Sequence, residues 1–147
     1  MPDLGHVHGE DEEDTAFLRG MARKAVNYLH GFEWFTHVSR IELGFGVGGV
    51  VAVFGVFIGP PLTSGDTSLW VVVGDLPSAY LVTDELPSPR EALEAYGEMM
   101  ESWAVAVTEN GDLAEEFPVA AAPTCENARM LRARIGFLRD DIIPAME

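Results

Sequence analysis

The sequence predicts an α+β domain: an N-terminal helix, a four-stranded, mostly antiparallel sheet, and two C-terminal helices, packed as a two-layer sandwich. Three observations point there. Apolar residues recur at spacings of three and four near both ends of the chain. They alternate with a period of two in the middle, and clusters of Gly, Pro, Asp and Ser separate the runs. Residues 1–13 read as a flexible acidic tail, which leaves 14–147 as one domain of ordinary size.

The first helix is predicted from Asp14, capped by Asp14 or Thr15. It carries Leu18, Met21, Ala25, Leu29 and Phe32 on one stripe, with Gly31 as its stop. Beyond it, the stretch GFGVGGVVAVFGVFIGPPL, Gly44 to Leu62, bears no charge and is about as long as a bilayer-spanning helix requires. Its six glycines and terminal GPPL oppose a helix, and no cluster of positive charge flanks it. Periodicity argues for strands. Ser39, Ile41, Leu43, Phe45 and Val47 alternate with Arg40, Glu42, Gly44 and Gly46; Gly48-Gly49 suits a two-residue hairpin turn, and Val50 to Ile58 reads as the return strand. The prediction is a hairpin in water, not a membrane span.

Residues 59–67, GPPLTSGDT, form a loop by composition. SLWVVV and AYLVT are two further strands, joined by the turn GDLPS, so that four sequential strands make a meander or two paired hairpins. Leu69–Val73 is apolar on both alternating sets and is predicted to be central, covered on both faces. Ser88, Pro89 and Glu91 are the start signature of the second helix. Leu93, Tyr96, Met100, Trp103 and Val107 share one side of it, Glu94, Glu98 and Glu101 the other, and Asn110-Gly111 ends it. After a connector with two prolines, Thr124 caps a last helix whose apolar face is Ala128, Leu131, Ile135, Leu138 and Ile142.

Charge narrows the function. Twenty-four acidic residues face nine basic ones, a formal net charge of −15. That opposes recognition of nucleic-acid phosphates and of anionic lipid, and suits a basic partner. Cys125 is the one cysteine, which excludes an internal disulfide and a multi-cysteine metal site and fits a reducing cytoplasm. The N-terminal residues lack the basic and apolar regions of a secretory signal.

Asp75, Ser78 and Tyr80, at the turn GDLPSAYLVT, are the first candidates for a ligand-binding set; the competing reading has Asp75 and Ser78 bonding the turn's own backbone. Trp70 and Trp103 are ligand platforms or, more simply, core. His37 is a candidate polar group and a conceivable base for Cys125 at the start of the last helix, although an inert thiol is the simpler reading. His6 and His8 lie beside GEDEED, but a mobile segment offers no prebuilt metal geometry, so no metal and no cofactor are expected. GFGVGG mimics a dinucleotide-binding fingerprint yet sits in strand periodicity, which makes the match false. No catalytic set is evident.

The segment LWVVVGDLPSAYLVTDELPSPREALEAYGEMMESW, residues 69–103, resembles a bacterial domain family of unknown function. Its members are short, stand-alone proteins with this Trp, Gly-Asp-Leu-Pro and Ala-Tyr-Leu pattern followed by an acidic helix. The resemblance implies a bacterial source and an independent domain, and carries no activity or site residue with it. The functional expectation is a non-enzymatic interaction domain, adaptor-, chaperone- or immunity-like, with a basic protein partner and a possible homodimeric state. The alternative is a small-molecule-binding domain or enzyme, with a pocket between sheet and helices lined by Trp70, Tyr80, Tyr96 and Trp103.

Overall fold

The computed structural model describes residues 4–5, 7–33, 35, 37–47, 50–59, 68–82, 87–109, 111, 113 and 122–146, without the side chains of residues 37, 59 and 82. Its elements are α1 (Glu12–Leu29), β1 (His37–Val47), β2 (Val51–Gly59), β3 (Ser68–Gly74), β4 (Leu76–Val82), α2 (Pro89–Thr108) and α3 (Cys125–Phe137). The predicted order of one helix, four strands and two helices is the observed one. The chain divides into two compact units, Met1–Ala92 and Leu93–Glu147, with the boundary inside α2.

α1 begins at Glu12, two residues before the predicted start, because Asp11 is the cap: its Oδ1 accepts from the Asp14 N–H at 2.8 Å. Asp14 Oδ2 in turn accepts from the Glu10 N–H at 2.9 Å, and Glu12, Glu13 and Asp14 place negative charge at the positive end of the helix. The preceding segment, expected to hang free, is anchored at Val7. Val7 is fully buried in the core, its N–H donates to Leu4 O, and its carbonyl accepts from Arg19 Nε at 3.1 Å. At the other end the helix stops at Leu29, so Phe32 lies in the turn beyond it rather than on its stripe.

The four strands form one antiparallel meander in the order β1-β2-β3-β4. The described part of the uncharged run therefore belongs to the β1–β2 hairpin, and no helix among the described residues is long and apolar enough to cross a membrane. Val47 pairs with Val51 and the Val50 N–H donates to Val47 O at 2.9 Å; the Gly48-Gly49 turn itself lies outside the described residues. Two bulges in β1, at Ser39 and Gly44, correct the predicted faces. Before Gly44, Ile41 and Leu43 pair with Val56 and Phe54; after it, Phe45 pairs with Val53 and Gly46 with Ala52, so Phe45 changes side.

The face toward α1 is Ile41, Ala52, Phe54, Val56, Ile58, Leu69, Val71 and Val73, packed with Leu18, Met21, Ala22, Ala25, Val26 and Leu29 of the helix. Each such side chain removed from water contributes about 1.5–3 kcal/mol for the larger residues. Gly46 sits under the helix, where a Cβ would lie 2.5 Å from Leu18 Cδ2. The other face carries Val53, Trp70, Val72, Ala79 and Leu81 in register. β4 also starts earlier than predicted. Leu76 already pairs with Gly74, and a bulge between Val72 and Gly74 takes Pro77 and Ser78 into the edge strand, a position where a missing N–H is tolerated.

In the second unit, Leu93, Tyr96, Met100, Trp103 and Val107 are buried along α2, as the spacing predicts. Ser88 Oγ accepts from the Glu91 N–H at 3.3 Å, and Thr124 Oγ1 from the Asn127 N–H at 3.1 Å, so both predicted caps are in place. α2 and α3 approach at Gly97, where a Cβ would lie 3.7 Å from Ile135 Cγ2. Glu101 on α2 accepts from Arg139. Past Phe137 the helix widens into a π turn, Leu138–Ile142, and closes in a 3-10 turn, Ile143–Ala145. Pro144 explains this: it has no N–H for the Asp140 carbonyl, and the Ile143 N–H bonds instead to Leu138 O, five residues back.

Candidate functional site

The chain after α1 folds back through a series of short turns. The Gly31 N–H donates to Tyr28 O, Phe32 to Leu29 O and Phe35 to Phe32 O, at 3.1–3.2 Å. This brings the Phe32 ring edge-on to Tyr28, with centroids 5.2 Å apart and planes at 82°. β4 supplies the third ring. Tyr80 pairs with Val71 on the α1 face of the sheet and meets Phe32 at 5.1 Å, again edge-on, and Tyr28 at 6.5 Å. His30 stands edge-on to Phe35 at 4.8 Å on the same turn.

Burial holds the Tyr28 phenol well above the usual tyrosine range, and the neighbouring Tyr80 phenol adds to the shift. A hydrogen bond between the Tyr80 backbone and Tyr28 acts in the opposite direction. Tyr28 is thus neutral at physiological pH: a hydroxyl that can share hydrogen bonds, not a base.

Of the predicted set, Tyr80 alone among the described side chains belongs to this cluster. Asp75 is exposed at the β3–β4 turn, where its N–H donates to Val50 O at 2.9 Å. Its neighbour Gly74 has φ of 151°, and a Cβ there would meet Val50 O at 2.2 Å, so glycine is required. Lys24 Nζ donates to the Gly74 carbonyl at 3.0 Å and ties α1 to the same turn. Ser78 is half-buried in the β4 bulge. Trp70 lies on the face opposite Tyr80: a Cβ at Gly44 would lie 3.1 Å, and one at Gly55 3.5 Å, from Trp70 Cζ3. The indole fills space that the two glycines leave empty.

Trp103 is 4% exposed and Tyr96 fully buried, both on α2. The backbone of His37 opens β1 opposite Gly59, and its side chain lies outside the described residues, as does His6; His8 is exposed. Cys125 is an exposed free thiol at the first position of α3. Among the described residues no three His, Cys, Asp or Glu side chains are grouped to hold a metal. Sequence reasoning missed Tyr28 and Phe32 as partners of Tyr80; the density of aromatics between Tyr28 and Phe35 was the available signal.

No known protein family, no curated protein and no solved structure matches the chain.

Proposed function

We propose that the chain is a bacterial, cytoplasmic, non-enzymatic interaction domain whose partner is a basic protein. The observation that carries this reading is charge: a net −15, with carboxylates exposed along one stripe of α2, Glu91, Glu94 and Glu98. Spacings of three and four align them, and negative potential of this kind accelerates encounter with a cationic surface. Arg139 neutralises Glu101, so the acidic stripe is concentrated toward the N-terminal half of the helix. The alternative, an aromatic-lined pocket, loses support because Trp70 and Tyr80 stand on opposite faces of the sheet. Self-association belongs to the same proposal and is read in the same work.

The test compares the wild type with Glu94→Lys/Glu98→Lys in capture from a bacterial lysate and in size-exclusion chromatography with light scattering. The expected result is a basic partner held at low salt, released as ionic strength rises, and not held by the charge-reversed protein. Equal capture by both proteins, or capture insensitive to salt, overturns the reading.

A further inference from the structure

In a chain where acids outnumber bases so heavily, arginines are expected to be taken up by carboxylates, and Arg40 and Arg139 are, by Glu42 and Glu101. Among the described residues no carboxylate is paired with Arg129 or Arg132. They lie three residues apart on α3, both exposed, and line an open cleft of about 340 Å³ together with Thr108 and Cys125. Among the described residues no carboxylate lines that cleft. The Thr108 hydroxyl proton is engaged, donating to Ala104 O at 2.9 Å, so among the described side chains of the cleft the groups with hydrogen to offer a ligand are the two guanidinium forks and the thiol.

We propose that this cleft binds a small oxyanion, a phosphate- or carboxylate-bearing molecule held by Arg129 and Arg132. Planar guanidinium forks match the geometry of both oxyanions and hold them with charge-assisted bonds. The volume admits a phosphate or a small dicarboxylate with room for a substituent. The site is independent of the acidic stripe on α2 and of the sign of partner proposed for it.

Cys125 makes the cleft measurable, because as the one cysteine every thiol adduct reports from this place. The experiment measures alkylation of the intact protein by anionic iodoacetate and by neutral iodoacetamide, followed by mass. Both reagents consume the same thiolate, so their rate ratio cancels any change in thiol ionisation and reports the local potential. The protein's overall charge repels iodoacetate, whereas the arginine pair attracts it. The ratio of iodoacetate to iodoacetamide rates is expected to fall about fivefold in Arg129→Gln/Arg132→Gln and to be retained in Arg129→Lys/Arg132→Lys. Inorganic phosphate or succinate, at ionic strength matched with chloride, is expected to slow iodoacetate labelling of the wild type and not of the glutamine variant. An unchanged ratio in the glutamine variant, or no protection by either anion beyond that of chloride, overturns the proposal.

Discussion

On the face of the sheet that meets α1, space is filled residue by residue: Phe54, Val56, Leu69 and Val71 are fully buried among Leu18, Ala22, Ala25 and Leu29 of the helix. On the opposite face β1 and β2 present Gly44 and Gly55, and one indole, Trp70, lies over both. The same sheet is thus packed in two ways, by side chains that meet the helix on one side and, around Trp70 on the other, by one large ring over two missing side chains. The first arrangement is sensitive to removal of atoms and the second to their addition.

Phe54→Ala is the largest expected break, about 3–5 kcal/mol, since it empties a fully buried aromatic position on the α1 face. Urea unfolding should show a lower midpoint with little change in slope. Gly44→Ala tests the other face from the opposite direction. Its Cβ would lie 2.8 Å from Pro89 Cγ, 3.0 Å from the Val53 carbonyl and 3.1 Å from Trp70, and the expected cost is about 1–3 kcal/mol. A cost near zero in the same assay would show that the bulge gives way and that the glycine is not needed under the ring.

Tyr28→Phe keeps the ring at the margin of the α1 face and removes its hydroxyl, at an expected cost of about 1 kcal/mol near neutral pH. The variant also separates a pH effect. The folded state holds the Tyr28 phenol above its unfolded value, so the stability linked to it is whole below about pH 10 and declines as pH rises beyond that. Melting temperature measured from about pH 8 to about pH 11, on either side of the ordinary phenol pKa of about 10, should fall more in the wild type than in the variant. The smallest effect is assigned to Gly55→Ala. Its Cβ would rest in ordinary contact with Trp70, 3.5 Å away, and the change should be neutral or stabilising by about 0.5 kcal/mol through reduced chain entropy. The pair Gly44 and Gly55, two glycines beneath one indole with opposite expected signs, sharpens the comparison most.

Local signals were legible in the sequence, and features that depend on a distant partner were not. Ser88 and Thr124 could be read as caps because a cap is decided within three residues. The strands, their order in the chain and the central place of β3 followed from alternation and turn composition. The bulge at Gly44 did not, because it is visible only as one extra residue against Phe54 and Val53 of β2, and strict alternation placed Phe45 on the wrong face. Pro77 looked like turn punctuation, yet at a bulge in an edge strand it is compatible with the sheet. The meeting of Tyr28 and Phe32 with Tyr80 hangs on the register of β3 with β4, which no local spacing encodes. Hence one member of the aromatic cluster was singled out and the other two were not.

The contact of Lys24 with the Gly74 carbonyl has a practical side. Lys24 is the chain's one lysine, so amine chemistry that would decorate most proteins at many side chains reaches a single one here. Reductive methylation with isotope-enriched formaldehyde would install, besides the label on the terminal amine, one side-chain label at the seam between α1 and the β3–β4 turn. Its resonance would report the opening and closing of that seam without a single substitution in the sequence.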